Sequence, residues 1–237
     1  MRVLIVPDVH LKPDMIRDAD CLMQTGRFDN TVFLGDFADD WDQGYNTGLY
    51  WDTYQKLISF VRKYPQSLVC YGNHDLSYDW MKEESGFSMI AAEMVRDLLK
   101  QLRDVMGDRL AYIHRIDQVI FSHAGLTRRF VEKYIDQPDP KAADEIIAIV
   151  NSMYVHEMWT SASPIWARVQ PSYDPQEMFP GHYLQVVGHT PVKKALYDAL
   201  HGVLSLDSFS TYSTGEPYGE GRFVFVDTIR CEWDYAD

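Results

Sequence analysis

Six side chains able to hold metal ions occur along the chain in the order Asp8, His10, Asp36, Asn73, His123 and His189. They sit in five short motifs: Asp8-Val9-His10, Gly35-Asp36-Phe37-Ala38-Asp39, Gly72-Asn73-His74-Asp75, Ser122-His123-Ala124-Gly125 and Gly188-His189-Thr190-Pro191. Each motif alone is weak, because Asp-x-His arises by chance and Gly-Asn-His makes tight turns. Their joint order carries the weight. A carboxylate at Asp36 can hold two cations about 3.5 to 4 Å apart, the spacing at which both act on one displacement at phosphorus. Asp8 and His10 would complete one ion, and Asn73, His123 and His189 the other. This mixture of carboxylate, amide and imidazole suits Mn, Fe, Zn, Ni or Co better than Ca, and ligand type alone does not choose among them; two ions, with Mn first, are the expectation. A hydroxide held between the two ions would attack phosphorus opposite the leaving oxygen. His74, beside Asn73, is placed to protonate that oxygen, with Asp39 orienting the imidazole. A hydrogen bond within the turn is the alternative use of His74.

Such a constellation needs elements that bring distant loops to one edge. Val3–Val6, Thr31–Leu34 and Leu68–Tyr71 are strand-like, while Tyr50–Lys63 and Ser88–Met106 have helical spacing, a β-α-β rhythm. Arg109–Ile113 and Gln118–Phe121 read as two strands joined by a turn, the second leading into His123, and Val186–Val187 leads into His189. The motifs thus fall just past the carboxyl ends of strands, where ligands bind in layered α/β folds. Helical candidates at Leu126–Ile135 and Lys141–Met158, then a Pro-punctuated segment from Ser163 to Pro180, read as an insertion over the site. Lys194–Tyr197, Val203–Leu206 and Phe223–Asp227 are expected strands of a second sheet, separated by the Gly- and Ser-rich loop Ser208–Gly221. The expected fold is α/β, a four-layer αββα sandwich of two mixed sheets flanked by helices. Residues 1–237 form one domain in this reading, with an insertion or cap at about 126–180.

Hydrophobic residues make up 46% of the chain and charged residues 24%, so a folded globular domain is expected. The net charge of −13 opposes attraction to a nucleic-acid backbone, so duplex nucleic acid is not an expected partner. Cys21, Cys70 and Cys231 form no Cys-x-x-Cys pair, which argues against a zinc ribbon or a disulfide framework. The chain enters a strand-like run at Arg2 without a signal-like apolar region, and no apolar stretch approaches the roughly 18 residues of a membrane span. A cytoplasmic location and no membrane partner are the expectations.

The five ordered motifs resemble those of the calcineurin-like metallophosphoesterase superfamily. Within it they are most similar to the bacterial and phage branch of the phosphoprotein phosphatases, which includes symmetrical diadenosine tetraphosphatases. The resemblance spans nearly the whole chain and extends to Ile165-Trp166-Ala167-Arg168, which looks like that branch's Leu-Trp-x-Arg segment. It implies that Arg168 binds the substrate phosphate, a role suited to a planar, permanently charged guanidinium. Three positions depart from the branch's pattern. The first motif continues to Leu11 instead of Gly, Asp39 is followed by Asp40-Trp41 instead of Arg-Gly, and Asp75 replaces Glu. A phosphate-clamping arginine is therefore missing after Asp39, and Arg128 or Arg129 are the candidates to replace it. Pro191 stands where phosphodiesterase and nuclease branches commonly carry a second histidine, which favours a phosphatase. His114, His156, His182 and His201 have no motif around them and read as surface or packing residues. The aromatics Trp41, Tyr45, Tyr50, Trp51, Tyr78 and Trp80, close to two of the metal motifs, could stack on a nucleobase or phosphotyrosine, or simply pack.

The expected substrate is a small phosphate compound, a phosphomonoester or nucleotide pyrophosphate. A phosphoprotein phosphatase, a cyclic-nucleotide or nucleic-acid phosphodiesterase, and a non-catalytic scaffold of the same fold are the competing readings.

Overall fold

The structure, a computed structural model, describes residues 1–173 and 177–236. Residues 174–176, within the Pro-punctuated segment and the expected insertion, lie outside the described residues.

Strand β1 (Arg2–Val6) shows how the layers form. Its alternate side chains point to opposite faces. Val3 and Ile5 enter the core between the two sheets, whereas Leu4 and Val6 join the core under the helices. Around β1 lie β2 (Asn30–Phe33), β3 (Leu68–Cys70), β4 (Leu110–Ala111), β10 (Val224–Asp227) and β11 (Glu232–Tyr235), in the order β11-β10-β1-β2-β3-β4. β1 to β4 run parallel, and β10 is antiparallel to β1, pairing Val3 with Val226. The second sheet has the order β5-β6-β7-β9-β8, from β5 (Ile113–Ile116), β6 (Val119–Ser122), β7 (Leu184–Val187), β8 (Leu196–Asp198) and β9 (Val203–Ser205).

Helices α1 (Pro13–Gln24), α2 (Thr47–Lys63), α3 (Asn73–Trp80) and α4 (Ala92–Met106) belong to the first-sheet side. α4 buries Val95, Leu98, Leu99, Leu102 and Met106, the stripe expected of a helix lying on a core. Helices α5 (Arg128–Tyr134), α6 (Ala143–Asn151) and α7 (Val155–Met158) pack with Ile113 and Ile120 on the outside of the second sheet. Between the sheets lie Val3, Ile5, Val32 and Leu34 against Phe121, Val186 and Leu204. The expected αββα sandwich is therefore present.

Several elements differ from the sequence reading. The run Arg109–Ile113 is not one strand: β4 ends at Ala111 in the first sheet and β5 begins at Ile113 in the second. An apolar run alone does not reveal a crossover between sheets. The expected second-sheet strand at Phe223–Asp227 is β10 of the first sheet, because side-chain alternation fixes a face but not a partner. The single helix expected over Lys141–Met158 breaks near Tyr154, whose extended backbone caps α7 with the Glu157 carboxylate accepting its N–H. The elements α1, α3 and β11 are not among those expected from the sequence. No helix is long and apolar enough to cross a membrane, among the described residues.

Candidate active site

Asp8 follows β1, Asp36 follows β2, Asn73 opens α3 after β3, His123 follows β6 and His189 follows β7. Two sheets thus deliver the six expected ligands to one edge. The loops are tied together by backbone: Val9 and His10 donate to the Asp36 carbonyl (3.0 and 2.8 Å), and Gly188 donates to that of His123 (2.8 Å). Glycine is needed where chain passes ligand, since a Cβ on Gly72 would collide with Asp36 Oδ1, and one on Gly188 with Asp8 Oδ1. His10, Asp36, Asp39 and His189 all have positive φ, at 42°, 50°, 64° and 65°. Such strain in non-glycine residues gathers at functional sites and persists only where surroundings over-determine it.

Asp8, Asp36, Asn73 and His123 are each at most 2% exposed. Asp36 Oδ1 accepts the His74 backbone N–H (2.9 Å), while Oδ2 lies 3.2 Å from His123 Nε2 and 3.7 Å from His10 Nε2. Both rings are oriented from behind. His10 Nδ1 donates to the carbonyls of Asp39 (2.8 Å) and Ala38 (3.2 Å), and His123 Nδ1 to that of Leu34 (2.9 Å). That fixes the tautomers with the Nε2 lone pairs turned inward, the usual support of metal-binding imidazoles. Toward His123 Nε2 also converge Asn73 Oδ1 (3.0 Å) and His189 Nδ1 (3.1 Å). Carboxylate, amide and imidazole ligand atoms crowded this closely need either shared protons or a cation between them. Asp8, His10 and Asp36 present ligand atoms all within 4.8 Å of one another, as do Asp36, His123 and His189. The donor set therefore fits divalent cations on both sides of Asp36.

In the absence of such ions the charges compensate through protons. Burial, with Asp207 and Asp36 close by, pushes Asp8 well above the usual carboxylate range. Although burial favours its neutral form, Asp36 is held far below that range by His123, His74 and His10. Burial opposes charge on His123, but Asp36 and Asp8 raise it to about 9. Burial and His123 push His189 well below its ordinary value. Cations would displace the shared protons, so ion binding and proton release are linked.

Beside this cluster, His74 Nδ1 lies 3.0 Å from Asp39 Oδ2. The other Asp39 oxygen accepts from the hydroxyls of Tyr50 (2.8 Å) and Tyr78, and the latter oxygen accepts the Ser88 N–H (2.8 Å). Burial works against charge on His74, but Asp36 and Asp39 outweigh it and bring the group to about 9. Asp75 ties the loops: its carboxylate accepts from the N–H groups of Asp36 (2.9 Å), Phe37 (2.9 Å) and Gly72 (3.1 Å) and from the Tyr54 hydroxyl (2.8 Å).

His10, Asp36, Asp39, Asn73, His74 and His189, backed by buried Asp8 and His123, form the floor of an open cleft of about 490 Å³, whose rim includes Lys12, Trp41, Phe87, Trp166 and Arg168. Arg168 Nη1 donates to Thr190 Oγ1 (3.1 Å), and its guanidinium lies over the Tyr173 ring. Arg128 pairs with Glu132 and Glu177, and neither it nor Arg129 lines the cleft, so neither replaces the missing arginine here.

The sequence profile of the calcineurin-like phosphoesterase family matches residues 1–212. The chain belongs to that family. It is thus a metal-dependent hydrolase of phosphate esters. No curated protein matches it in sequence. Among solved structures, this phosphoesterase resembles the cold-active protein-tyrosine phosphatase of a psychrophilic Shewanella species, with 13% identity and a TM-score of 0.59, over 100% of this chain and 80% of that one. It also resembles a protein serine/threonine phosphatase of Saccharomyces cerevisiae, with 16% identity and a TM-score of 0.55, over 95% of this chain and 72% of that one. At such identities the likeness concerns the fold.

Four residues contribute to the site in ways the sequence does not announce. Asp207, buried past the end of β9 and bonded to Ser210 Oγ (2.8 Å to each oxygen), faces His10 and Asp8. Its placement after an apolar strand was the available signal. Tyr50 and Tyr78 serve Asp39 by hydrogen bonds rather than offering ring faces, and Lys12 joins the rim. Of the other aromatics, Trp41 lines the cleft, Trp80 packs against Tyr112 and Trp159, and Tyr45 and Trp51 are exposed away from it. The four unassigned histidines are structural or peripheral: His114 bonds the Val69 carbonyl, His156 pairs with Glu157, His182 packs at a tilt against Tyr183 and His201 bonds Asp198.

Proposed function

We propose that the phosphoesterase is a dinuclear-metal phosphatase of small phosphate compounds, phosphomonoesters or nucleotide pyrophosphates. The observation that carries this reading is Asp36 Oδ2 set between the inward-facing Nε2 atoms of His10 and His123. Asp8, His10 and Asp36 would hold one ion, and Asp36, Asn73, His123 and His189 the other; Mn suits this donor set, with Fe, Zn, Ni or Co as alternatives. When bound, the ions would supply an activated water and offset charge on the phosphoryl oxygens.

The chain's own residues do the rest. With Nδ1 engaged by Asp39, whose carboxylate favours the charged imidazole, His74 has Nε2 left to give a proton to the leaving oxygen. Tyr50 and Tyr78 hold Asp39 in place. Arg168 binds non-bridging oxygens at the rim. Residues 126–180 act as a cap through their last part, which brings Trp166 and Arg168 to the cleft. The three free thiols, Cys21, Cys70 and Cys231, fit a reducing cytoplasm.

Pro191 and the −13 charge weigh against the phosphodiesterase reading. Purified protein supplied with Mn²⁺ should hydrolyse p-nitrophenyl phosphate faster than bis(p-nitrophenyl) phosphate. It should also act on nucleotides in preference to phosphopeptides. Faster turnover of the diester, or of phosphopeptides, would reverse the assignment.

A further inference from the structure

The two places where the rim departs from the family's pattern meet in space. The first motif runs on to Leu11-Lys12, and the second carries Asp40 where an arginine usually follows Asp39. Lys12 Nζ lies 3.1 Å from Asp40 Oδ2, and both residues line the cleft. Leu11, at φ 55°, makes the turn that sends Lys12 to this position ahead of α1. The other Asp40 oxygen accepts from the Trp41 backbone N–H (2.9 Å) and, at 3.4 Å, from Thr211 Oγ1. Asp40 is thereby fixed as a tether. An ammonium has three donors. One goes to Asp40 and one, at 3.4 Å, to the His10 carbonyl, which leaves one for the cleft.

We propose that Lys12, tethered by Asp40, is a second phosphate-binding cation of this cleft, and that the group it selects is a terminal phosphomonoester dianion. This rests on the phosphatase reading above. Among the described residues, Lys12 and Arg168 are the two lysine or arginine side chains lining the cleft. A terminal phosphoryl group has three non-ester oxygens and about two negative charges; a diester has two such oxygens and one charge. A second cation therefore rewards the monoester, whereas Arg168 alone discriminates less. The cation that the family pattern places on the second loop has moved to the first, and an ammonium, being a point charge rather than a planar fork, recognises charge more than orientation.

The test is calorimetric titration of inorganic phosphate into the Mn-loaded wild type and the variants Lys12→Met, Lys12→Arg and Asp40→Asn, with bound Mn quantified for each. Lys12→Met should weaken phosphate about tenfold, the low end for a charge-assisted bond because Asp40 already shares the ammonium. Lys12→Arg should keep most of the affinity, Asp40→Asn should keep or tighten it, and Mn content should not change. In turnover, the monoester-to-diester ratio of kcat/KM should fall about tenfold in Lys12→Met. Phosphate affinity equal to wild type in Lys12→Met overturns the proposal, as does an equal fall for both esters. Loss of Mn in both lysine variants, with phosphate affinity per loaded site unchanged, would make Lys12 a support of the His10 loop and also overturn it. Lys12-dependent phosphate binding by a wild type that hydrolyses neither ester would leave this inference standing and sink the phosphatase reading instead.

Discussion

The floor and the rim of the cleft are built on different terms. On the floor, Asp8, Asp36, Asn73 and His123 are buried, their loops carry positive-φ residues, and the imidazoles of His10 and His123 are held from behind by backbone carbonyls. Little can change there without leaving buried charge unpaired. At the rim, Trp41 is 56% exposed, Arg168 reaches out over Tyr173, and Lys12 stands tethered to Asp40. Residue types at the rim can vary without disturbing the core. The contrast separates two questions: the floor sets the chemistry, and the rim sets what is brought to it.

That division predicts a graded series. Asp36→Asn takes a charge from the middle of the floor, and it should abolish turnover and lower metal content while the fold persists by circular dichroism; full activity with two ions bound would remove Asp36 from the centre. His74 lies beside the floor, so His74→Asn should keep the metal and lose about 10² to 10⁴-fold in kcat. The loss should be smaller for p-nitrophenyl esters, whose leaving group needs little protonation, and an equal loss for alkyl esters would refute the acid role. Arg168→Ala, at the rim, should weaken substrate and phosphate binding by roughly ten- to a hundredfold with metal content unchanged. Unchanged phosphate inhibition would assign that task elsewhere.

A smaller effect, readable through pH, links the floor to its protons. Because Asp36 and Asp8 raise His123 to about 9 against the effect of burial, ligation at neutral pH must expel a proton. Mn²⁺ affinity should therefore rise between pH 7 and 9 by up to about tenfold per unit for one linked proton, then flatten. The ion-free protein should behave oppositely. His123, with a folded value above its ordinary 6.5, adds stability that is complete below 6.5 and lost as pH rises through about 9. Thermal melting of chelated and loaded protein across this range would show the two trends diverge; parallel curves would show that His123 is not a ligand.

The same contrast explains what the sequence made legible. Floor residues announce themselves because each needs a particular atom type at a strand end and a glycine where chain passes ligand, as Gly72 does at Asp36 and Gly188 at Asp8. The sandwich was legible for a similar reason, since β1 writes both its faces in alternating residues. Pairing was not, because nothing in Val224–Asp227 encodes that its partner is β1 rather than a second-sheet strand. Asp207 has only its place after a strand to mark it, and the two tyrosines on Asp39 act through contacts across 11 or more positions, with no local spacing to reveal them. Lys12 was missed because an ammonium and a carboxylate on separate loops become a unit only when folded.

Asp36 is proposed to hold two cations at once. Electron paramagnetic resonance of the protein titrated with Mn²⁺ addresses it directly. The account predicts two ions per chain and a spin-coupled spectrum that collapses to a single weakly held ion in Asp36→Asn. One ion per chain at saturation, or two that are magnetically independent, would contradict it.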